Sequence, residues 1–362
     1  MTNYLKIITL ILLTFLISCA TPSPEEVLND TIEKYNATKF ISIEATSLWP
    51  DMIGEIDTTI YQMELLNDNS PHLGYGFIVK QEKYDAVYID GTYQILEHAN
   101  KALRTYDSVA LSEDNSRITK GIIGQYNPIA QLQYDWIFLQ DSIMNDNKMV
   151  VYEYIDMDTV YEGIDVKVIF NLYINPATYE VVQFDRIAYQ DDQLGQKIVW
   201  TYSNAEFSNE KTALNYDLPE GYVSMTDSGY ELVKVGDKAP DFKGVTLAGD
   251  SISLSQYLGK KVLLDISVIN CGYCKEALKY INESDGFSNN IQTIYINPTD
   301  NDKRMQSYKE QINIPFPVIA DRKDLGKAYG ANGYPTFILI DENGIIEQVQ
   351  EGYTKEFLDQ FM

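Results

Sequence analysis

The strongest constraint on the fold lies at Asn270-Cys271-Gly272-Tyr273-Cys274. Two of the chain's three cysteines sit there, directly after the apolar run Val262–Ile269. A short apolar run of this kind is what a central strand covered on both faces shows. Gly272 to Asn282 reads as a helix, so Cys271 falls at a helix N-terminus, where partial positive charge lowers a thiol's pKa. The two-residue spacer puts Cys274 one helical turn on, close enough to form a disulfide, and Lys275 adds a nearby cation. An exposed low-pKa thiolate with a resolving thiol beside it is what thiol–disulfide exchange requires. A purely structural disulfide is the other reading, but so short a loop contributes little chain-entropy stabilisation.

Strands and helices alternate around this pair. Ile291–Ile296 reads as a strand, Met305–Ile312 as a helix, Phe316–Ile319 as a short strand, and Thr336–Ile340 with Ile345–Gln350 as a hairpin around Asp341-Glu342-Asn343-Gly344. Such alternation implies parallel strands joined by crossover helices. Val235-Gly-Asp-Lys-Ala-Pro-Asp-Phe242 opens the region. Gly249-Asp250, Leu254, Gly259-Lys-Lys-Val-Leu-Leu-Asp265, the cysteine pair and Gly333-Tyr334-Pro335-Thr336-Phe337 follow in order.

This series, over residues 235–362, resembles the TlpA/ResA-like members of the redoxin (AhpC/TSA-like) group of thioredoxin folds. The resemblance implies an α/β thioredoxin fold that exchanges protein disulfides and carries no cofactor. It implies that Pro335 is a cis-proline facing the cysteines and that Tyr334 offers backbone groups to a substrate peptide beside Gly272 and Tyr273. Asp265, six residues before Cys271, matches the buried aspartate of thioredoxins. A carboxylate buried there has a raised pKa and can shuttle a proton to or from Cys274; a hydrogen-bonded strand aspartate with no catalytic part is the alternative. The sequence also departs from the pattern. Asn270 stands where such sites usually have Trp, and Ala277 where a Glu is frequent, with Glu276 one step off. The Gly272-Tyr273 spacer is similar to that of periplasmic disulfide isomerases, which leaves the direction of electron flow open. A Thr-x-x-Cys peroxidatic motif is absent, which argues against peroxidase chemistry.

The rest of the chain differs in character. Of 53 acidic and 28 basic residues, residues 234–362 hold 18 and 14, so residues 1–233 hold 35 and 14. A surface that negative repels phosphate backbones and excludes nucleic acid as a partner. Three cysteines and two histidines, His72 and His98, do not supply the two close ligand pairs of a structural zinc site. From Phe40 to about Asn209 the pattern is mostly strands. Thr59–Leu65 alternates, Tyr84–Ile89 and Thr92–Leu96 flank the hairpin dipeptide Asp90-Gly91, and Val166–Ile174 returns through Asn175-Pro176-Ala177-Thr178 to Tyr179–Arg186. One helix is expected from Asn127-Pro128, carrying Ile129, Leu132, Trp136 and Ile137. Another starts at Ser23-Pro24, with Ser23 and Glu26 at capping-box spacing and Val27, Leu28, Ile32 and Tyr35 as its apolar face. A leading helix and a long antiparallel meander predict a curved sheet or half-barrel over helices. This layout and the Tyr173–Val182 hairpin are similar to the LolA/LolB-like half-barrel. Twenty of the 28 tyrosines precede residue 234. They are read as strand packing, or alternatively as the lining of a ligand cavity.

Lys6 and the apolar run Ile7–Ile17 have signal-peptide character and are too short to span a bilayer. Leu16-Ile17-Ser18-Cys19 resembles a lipoprotein lipobox, which implies cleavage before Cys19 and its acylation; a plain secretory signal is the alternative. Two or more acyl chains would hold a membrane stably. The expected organisation is therefore a signal peptide (1–18), a lipidated tether (19–26), an acidic β-rich domain (27–230), a linker from Pro219 to Tyr230 and a thioredoxin-like domain (235–362). The expected setting is the cell envelope facing the periplasm, and Ala20, lacking an inner-membrane retention aspartate, points to the outer membrane. The expected partners are disulfide-bearing envelope proteins and a membrane electron donor. Reductase activity is the first reading; a disulfide isomerase, or a protein whose redox domain serves a bound lipid or lipoprotein client, are the alternatives.

Overall fold

The computed structural model describes residues 22–362 except 52, 100, 162–163, 226–230, 285–286 and 289. Cys19, the signal segment and most of the expected linker's end lie outside the described residues.

The chain enters through helix α1 (Pro24–Ala37), held by a capping box in which the Glu26 amide donates to Ser23 Oγ and the Ser23 amide to Glu26 Oε2. Strands β1 (Phe40–Pro50), β2 (Ile56–Leu66), β3 (Gly76–Lys80), β4 (Tyr84–Ile89), β5 (Thr92–Glu97) and β6 (Ala102–Tyr106) form a meander. Asp90 and Gly91 both take positive φ between β4 and β5, as a two-residue hairpin of this twist requires. Four short helices follow: α2 (Ser108–Glu113), α3 (Ser116–Thr119), α4 (Ile122–Gln125) and α5 (Pro128–Gln131). Strands β7 (Ile137–Met144), β8 (Asn147–Tyr161), β9 (Ile164–Asn175), β10 (Glu180–Gln190) and β11 (Gln193–Ser208) form a second meander, and β12 (Val223–Ser224) returns to β6. The sheet order is β12-β6-β5-β4-β3-β2-β1-β11-β10-β9-β8-β7, an open sheet with edges at β12 and β7 rather than a closed barrel.

The helix expected from Asn127 is corrected. Asn127 does cap a helix, its Oδ1 accepting from the Ala130 amide, but α5 is a single turn. Ile129, Leu132 and Trp136 are buried, while Ile137 is exposed on the edge strand β7. A turn-rich segment lying across a sheet buries residues at helical spacing without continuing the helix. Within the expected linker, Val223 and Ser224 pair in parallel with Ala102 and Leu103, while residues 226–230 lie outside the described residues.

Residues of α1 to α5 cover one face of this sheet, where alternate residues of β1 and β2 (Ile41, Ile43, Ala45; Tyr61, Met63, Leu65) join one core with Val27, Leu111, Ile118 and Ile129. Trp200 on β11 is fully buried, stacked on Tyr61 at 4.8 Å and Tyr126 at 5.1 Å between ring centroids. The aromatic residues of this face pack on one another, each such pair adding about 0.5–1.5 kcal/mol beyond burial.

The C-terminal region starts with the β13 (Lys243–Val245) and β14 (Ser251–Ser253) hairpin. It continues through β15 (Lys261–Ile266), α6 (Gly272–Glu283), β16 (Ile291–Ile296), α7 (Asp302–Gln311), β17 (Val318–Ile319), α8 (Lys323–Tyr329), β18 (Thr336–Ile340), β19 (Ile346–Glu351) and α9 (Lys355–Leu358). The sheet order is β17-β16-β15-β18-β19; β15, β16 and β17 run parallel, and β18 and β19 antiparallel. This is a thioredoxin fold. Central β15 is covered on both faces: Val262, Leu264 and Ile266 enter one core, Leu263 another with Ala277 and Ile281 of α6. Gly330 ends α8 at φ +72, and a Cβ there would lie 2.2 Å from the Glu231 carbonyl oxygen, so the incoming chain crosses where only glycine fits.

Replacing Trp200 with Ala removes the centre of the N-terminal core and should cost about 3–5 kcal/mol. Urea denaturation followed by the fluorescence of Trp49 and Trp136, which lie in the same domain, checks this; an unchanged midpoint would contradict the packing described.

Candidate active site

Strand β15 ends at Ile266, and five residues later Cys271 is the N-cap of α6. Cys271 takes an extended conformation, and its Sγ accepts the Cys274 amide at 3.1 Å. A sulfur in that position meets the unsatisfied amides of the first helical turn, the geometry that favours a thiolate once the pair is reduced. Cys271 and Cys274 form a disulfide, with Cα atoms 5.2 Å apart. Their exposures differ: Cys271 is partly accessible, whereas Cys274 is 1% exposed. Gly272 and Tyr273 are exposed on the first turn, so a partner disulfide can reach Cys271 and not Cys274.

The loop before β18 closes the other side. The Tyr334–Pro335 bond is cis, and the Tyr334 carbonyl oxygen is 3.4 Å from Cys271 Sγ. Thr336 Oγ1 donates to the Gly333 carbonyl, and Thr336 pairs with Ile266, which seats this loop beside the end of β15. Beside Tyr334 lies an open cleft of about 290 Å³, lined by Pro298, Thr299, Lys323, Lys327 and Ala331.

Asp265 is 1% exposed on β15, paired with Tyr295 and Phe337. By strand alternation it shares the face of Leu263, the face α6 covers. Ser267 Oγ donates to Oδ1, while Oδ2 meets no partner among the described residues. Burial disfavours the carboxylate and pushes its pKa up to about 7, with the Ser267 hydrogen bond opposing.

Asp300, which the sequence reading did not single out, lies in the loop after β16. Its Oδ2 accepts from the Ile269 amide at 3.3 Å, Asn297 Nδ2 at 3.0 Å and Thr299 Oγ1 at 3.2 Å. The polar stretch Asn297-Pro298-Thr299-Asp300 directly after an apolar strand was the available signal. No cluster of three or more metal-ligating side chains occurs among the described residues.

A half-accessible cysteine capping a helix, disulfide-bonded to a buried one and faced by a cis-proline loop, defines a thiol–disulfide oxidoreductase. The AhpC/TSA family profile matches residues 235–349. Thiol-disulfide oxidoreductase ResA of Geobacillus kaustophilus (strain HTA426) is 31% identical over 148 residues, covering 39% of this chain and 85% of that protein. Thiol-disulfide oxidoreductase ResA of Bacillus cereus (strain ATCC 10987 / NRS 248) is 29% identical over 154 residues, covering 41% and 87%. Among solved structures, a putative thiol:disulfide interchange protein DsbE from Chlorobium tepidum is 29% identical, covering 35% of this chain and 94% of that one at a TM-score of 0.33. Through its C-terminal region the chain belongs to the AhpC/TSA family, with the thiol-disulfide oxidoreductases of the ResA kind.

Asp265 makes stability fall with rising pH. The unfolded carboxyl loses its proton near pH ~4 and the folded one only near 7, so between those values the folded state binds the extra proton. This residue then removes roughly 1.4 kcal/mol per pH unit, and nothing further above pH 7. Asp265→Asn should abolish that slope. Urea unfolding of the C-terminal domain in the oxidised full chain, followed by NMR at pH 5 and pH 8, checks it; parallel losses in both proteins would contradict the assignment.

Proposed function

We propose that this protein is an envelope thiol–disulfide oxidoreductase that reduces disulfides in other envelope proteins and is held at a membrane, the outer membrane by preference, by a lipid on Cys19. The observation that carries the redox part is the asymmetry of the pair: Cys271 is accessible and capped onto α6, and Cys274 is buried behind it.

The step is balanced as follows. The Cys271 thiolate attacks one sulfur of a substrate disulfide, forming a mixed disulfide and releasing the other sulfur as a thiolate, which takes a proton. Asp265, on the face of β15 that α6 covers, accepts the proton of Cys274. The Cys274 thiolate then attacks Cys271 Sγ, so the Cys271–Cys274 disulfide forms and the substrate leaves as a dithiol. Two electrons pass to the substrate, and a membrane dithiol donor must return two to the pair. Backbone groups of Tyr334 beside Pro335 pair with the substrate peptide as a short strand addition. Gly272 and Tyr273 border its approach, and the cleft by Lys323 and Lys327 receives a neighbouring side chain.

Disulfide isomerisation is the second reading, favoured by the Gly272-Tyr273 spacer, which is similar to that of periplasmic disulfide isomerases. The lipid anchor rests on the Ser18-Cys19 sequence alone. Among the described residues no helix is long and apolar enough to cross a membrane. Whether the N-terminal sheet presents a lipid or lipoprotein client to the redox site is decided by native mass spectrometry of the full chain.

Cys271→Ser should abolish reduction of insulin disulfides, whereas Cys274→Ser should retain the first attack and accumulate mixed disulfides with envelope proteins in cells. Insulin turnover by Cys271→Ser, or equal trapping by both variants, would refute the assigned order.

A further inference from the structure

The β1–β2 turn reaches from the N-terminal sheet to the redox domain. Asp51 organises it: its Oδ1 accepts the Ile53 amide at 3.0 Å and the Glu55 amide at 2.8 Å. Asp51 Oδ2 is 2.7 Å from Arg304 Nη2, and Glu55 Oε2 is 2.5 Å from Arg304 Nη1. The Asp51 side chain is only 4% exposed, so this pair is shielded far more than an ordinary surface contact. Ile53 packs on the cluster of Ile269, Leu278, Met305 and Tyr308, and its carbonyl accepts from Gln311 Nε2 at 3.1 Å.

Arg304 then turns the contact towards the cysteines. Its third nitrogen, Nε, donates to Asp300 Oδ1 at 3.1 Å. The other oxygen of Asp300 accepts the Ile269 amide, two residues before Cys271. Ile269 is itself fully buried in the cluster that Ile53 covers. One guanidinium therefore fixes two carboxylates of the N-terminal domain and the one that anchors the active-site loop, as its planar fork of donors allows.

We propose that the Asp51–Glu55 turn is an interdomain latch that, through the positioning residues Arg304 and Asp300, sets the loop Ser267–Cys271 and so the attack geometry of Cys271. This inference rests on Cys271 being the nucleophile. Arg304 and Asp300 touch no substrate in this scheme, in which the backbone of Tyr334 beside Pro335 holds the peptide. Loss of the latch should therefore slow turnover and leave peptide binding in place.

The test uses the full chain carrying Asp51→Asn with Glu55→Gln. Asn keeps the Oδ1 acceptor for the turn while the charges on Arg304 are lost. Small-angle scattering reads docking, amide hydrogen exchange reads Ile269, and insulin reduction gives kcat and KM, with Cys271→Ser as the control for the nucleophile. The expected result is a larger radius of gyration, faster exchange at Ile269 and a kcat about ten-fold lower at unchanged KM, less than the loss from a 1 Å misplacement. An undocked variant with wild-type kcat and Ile269 exchange would overturn the coupling. A raised KM with unchanged kcat would make the N-terminal domain a substrate-binding element and overturn the positioning role. A wild-type chain already as extended as the variant would overturn the docked geometry. Insulin reduction that survives Cys271→Ser would refute the underlying reading instead of the latch.

Discussion

The hydrogen bond from the Cys274 amide to Cys271 Sγ is the interaction on which the chemistry of this chain depends. It exists because α6 begins at Gly272, leaving Cys271 outside the helix with its side chain turned onto the free amides of the first turn. The rest of the domain serves that placement. Buried β15 fixes where the helix starts, the Thr336–Ile266 pairing seats Tyr334 against the sulfur, and Asp300 ties down the loop between strand and helix. Each element is an ordinary consequence of apolar burial or of satisfying a backbone amide.

Asp265 gives the site its second character. A carboxylate on a strand covered on both faces is costly when ionised, and among the described residues Ser267 alone donates a side-chain hydrogen bond to it. A group held near pH 7 by burial changes charge with little free energy, which suits the buried end of a cysteine pair that must give up a proton. Cys274 is as buried as Asp265, while Cys271 meets solvent. The two halves of the exchange reaction are thus separated by accessibility as well as by helix position.

Much of the redox domain was legible because its signals are local. The run at Val262–Ile269, the helix from Gly272 and the strand Ile291–Ile296 follow from apolar pattern and turn residues, as do Asp90-Gly91 and the Asn175–Thr178 turn in the N-terminal half. Short elements without periodicity were not legible: the β13–β14 hairpin and the seven-residue α8, which holds Gly326 and ends at Gly330. The helix expected past Asn127 failed because Ile129, Leu132 and Trp136 meet the sheet from a turn-rich segment, and the sheet then claims Ile137 for β7. Asp300 had a local signal in its polar stretch, but the pairing of Arg304 with Asp51 had none. Asp51 and Arg304 meet because two domains dock, and a pairing across 253 positions is invisible to spacing. The strongly acidic sheet domain uses its tyrosines and tryptophans mainly against each other, as the Tyr61–Trp200–Tyr126 stack shows.

The most direct test of the account is the acidity of Cys271. The reduced full chain would be alkylated with iodoacetamide across a range of pH, and the rate at the accessible Cys271 fitted to a single ionisation. Capping onto α6 predicts a thiolate pKa well below the ordinary ~8.5, within the span of about 3.5–7.5 seen for cysteines at helix N-termini. A value at or above ~8.5 would contradict it, since the helix start would then confer no activation on the residue placed there.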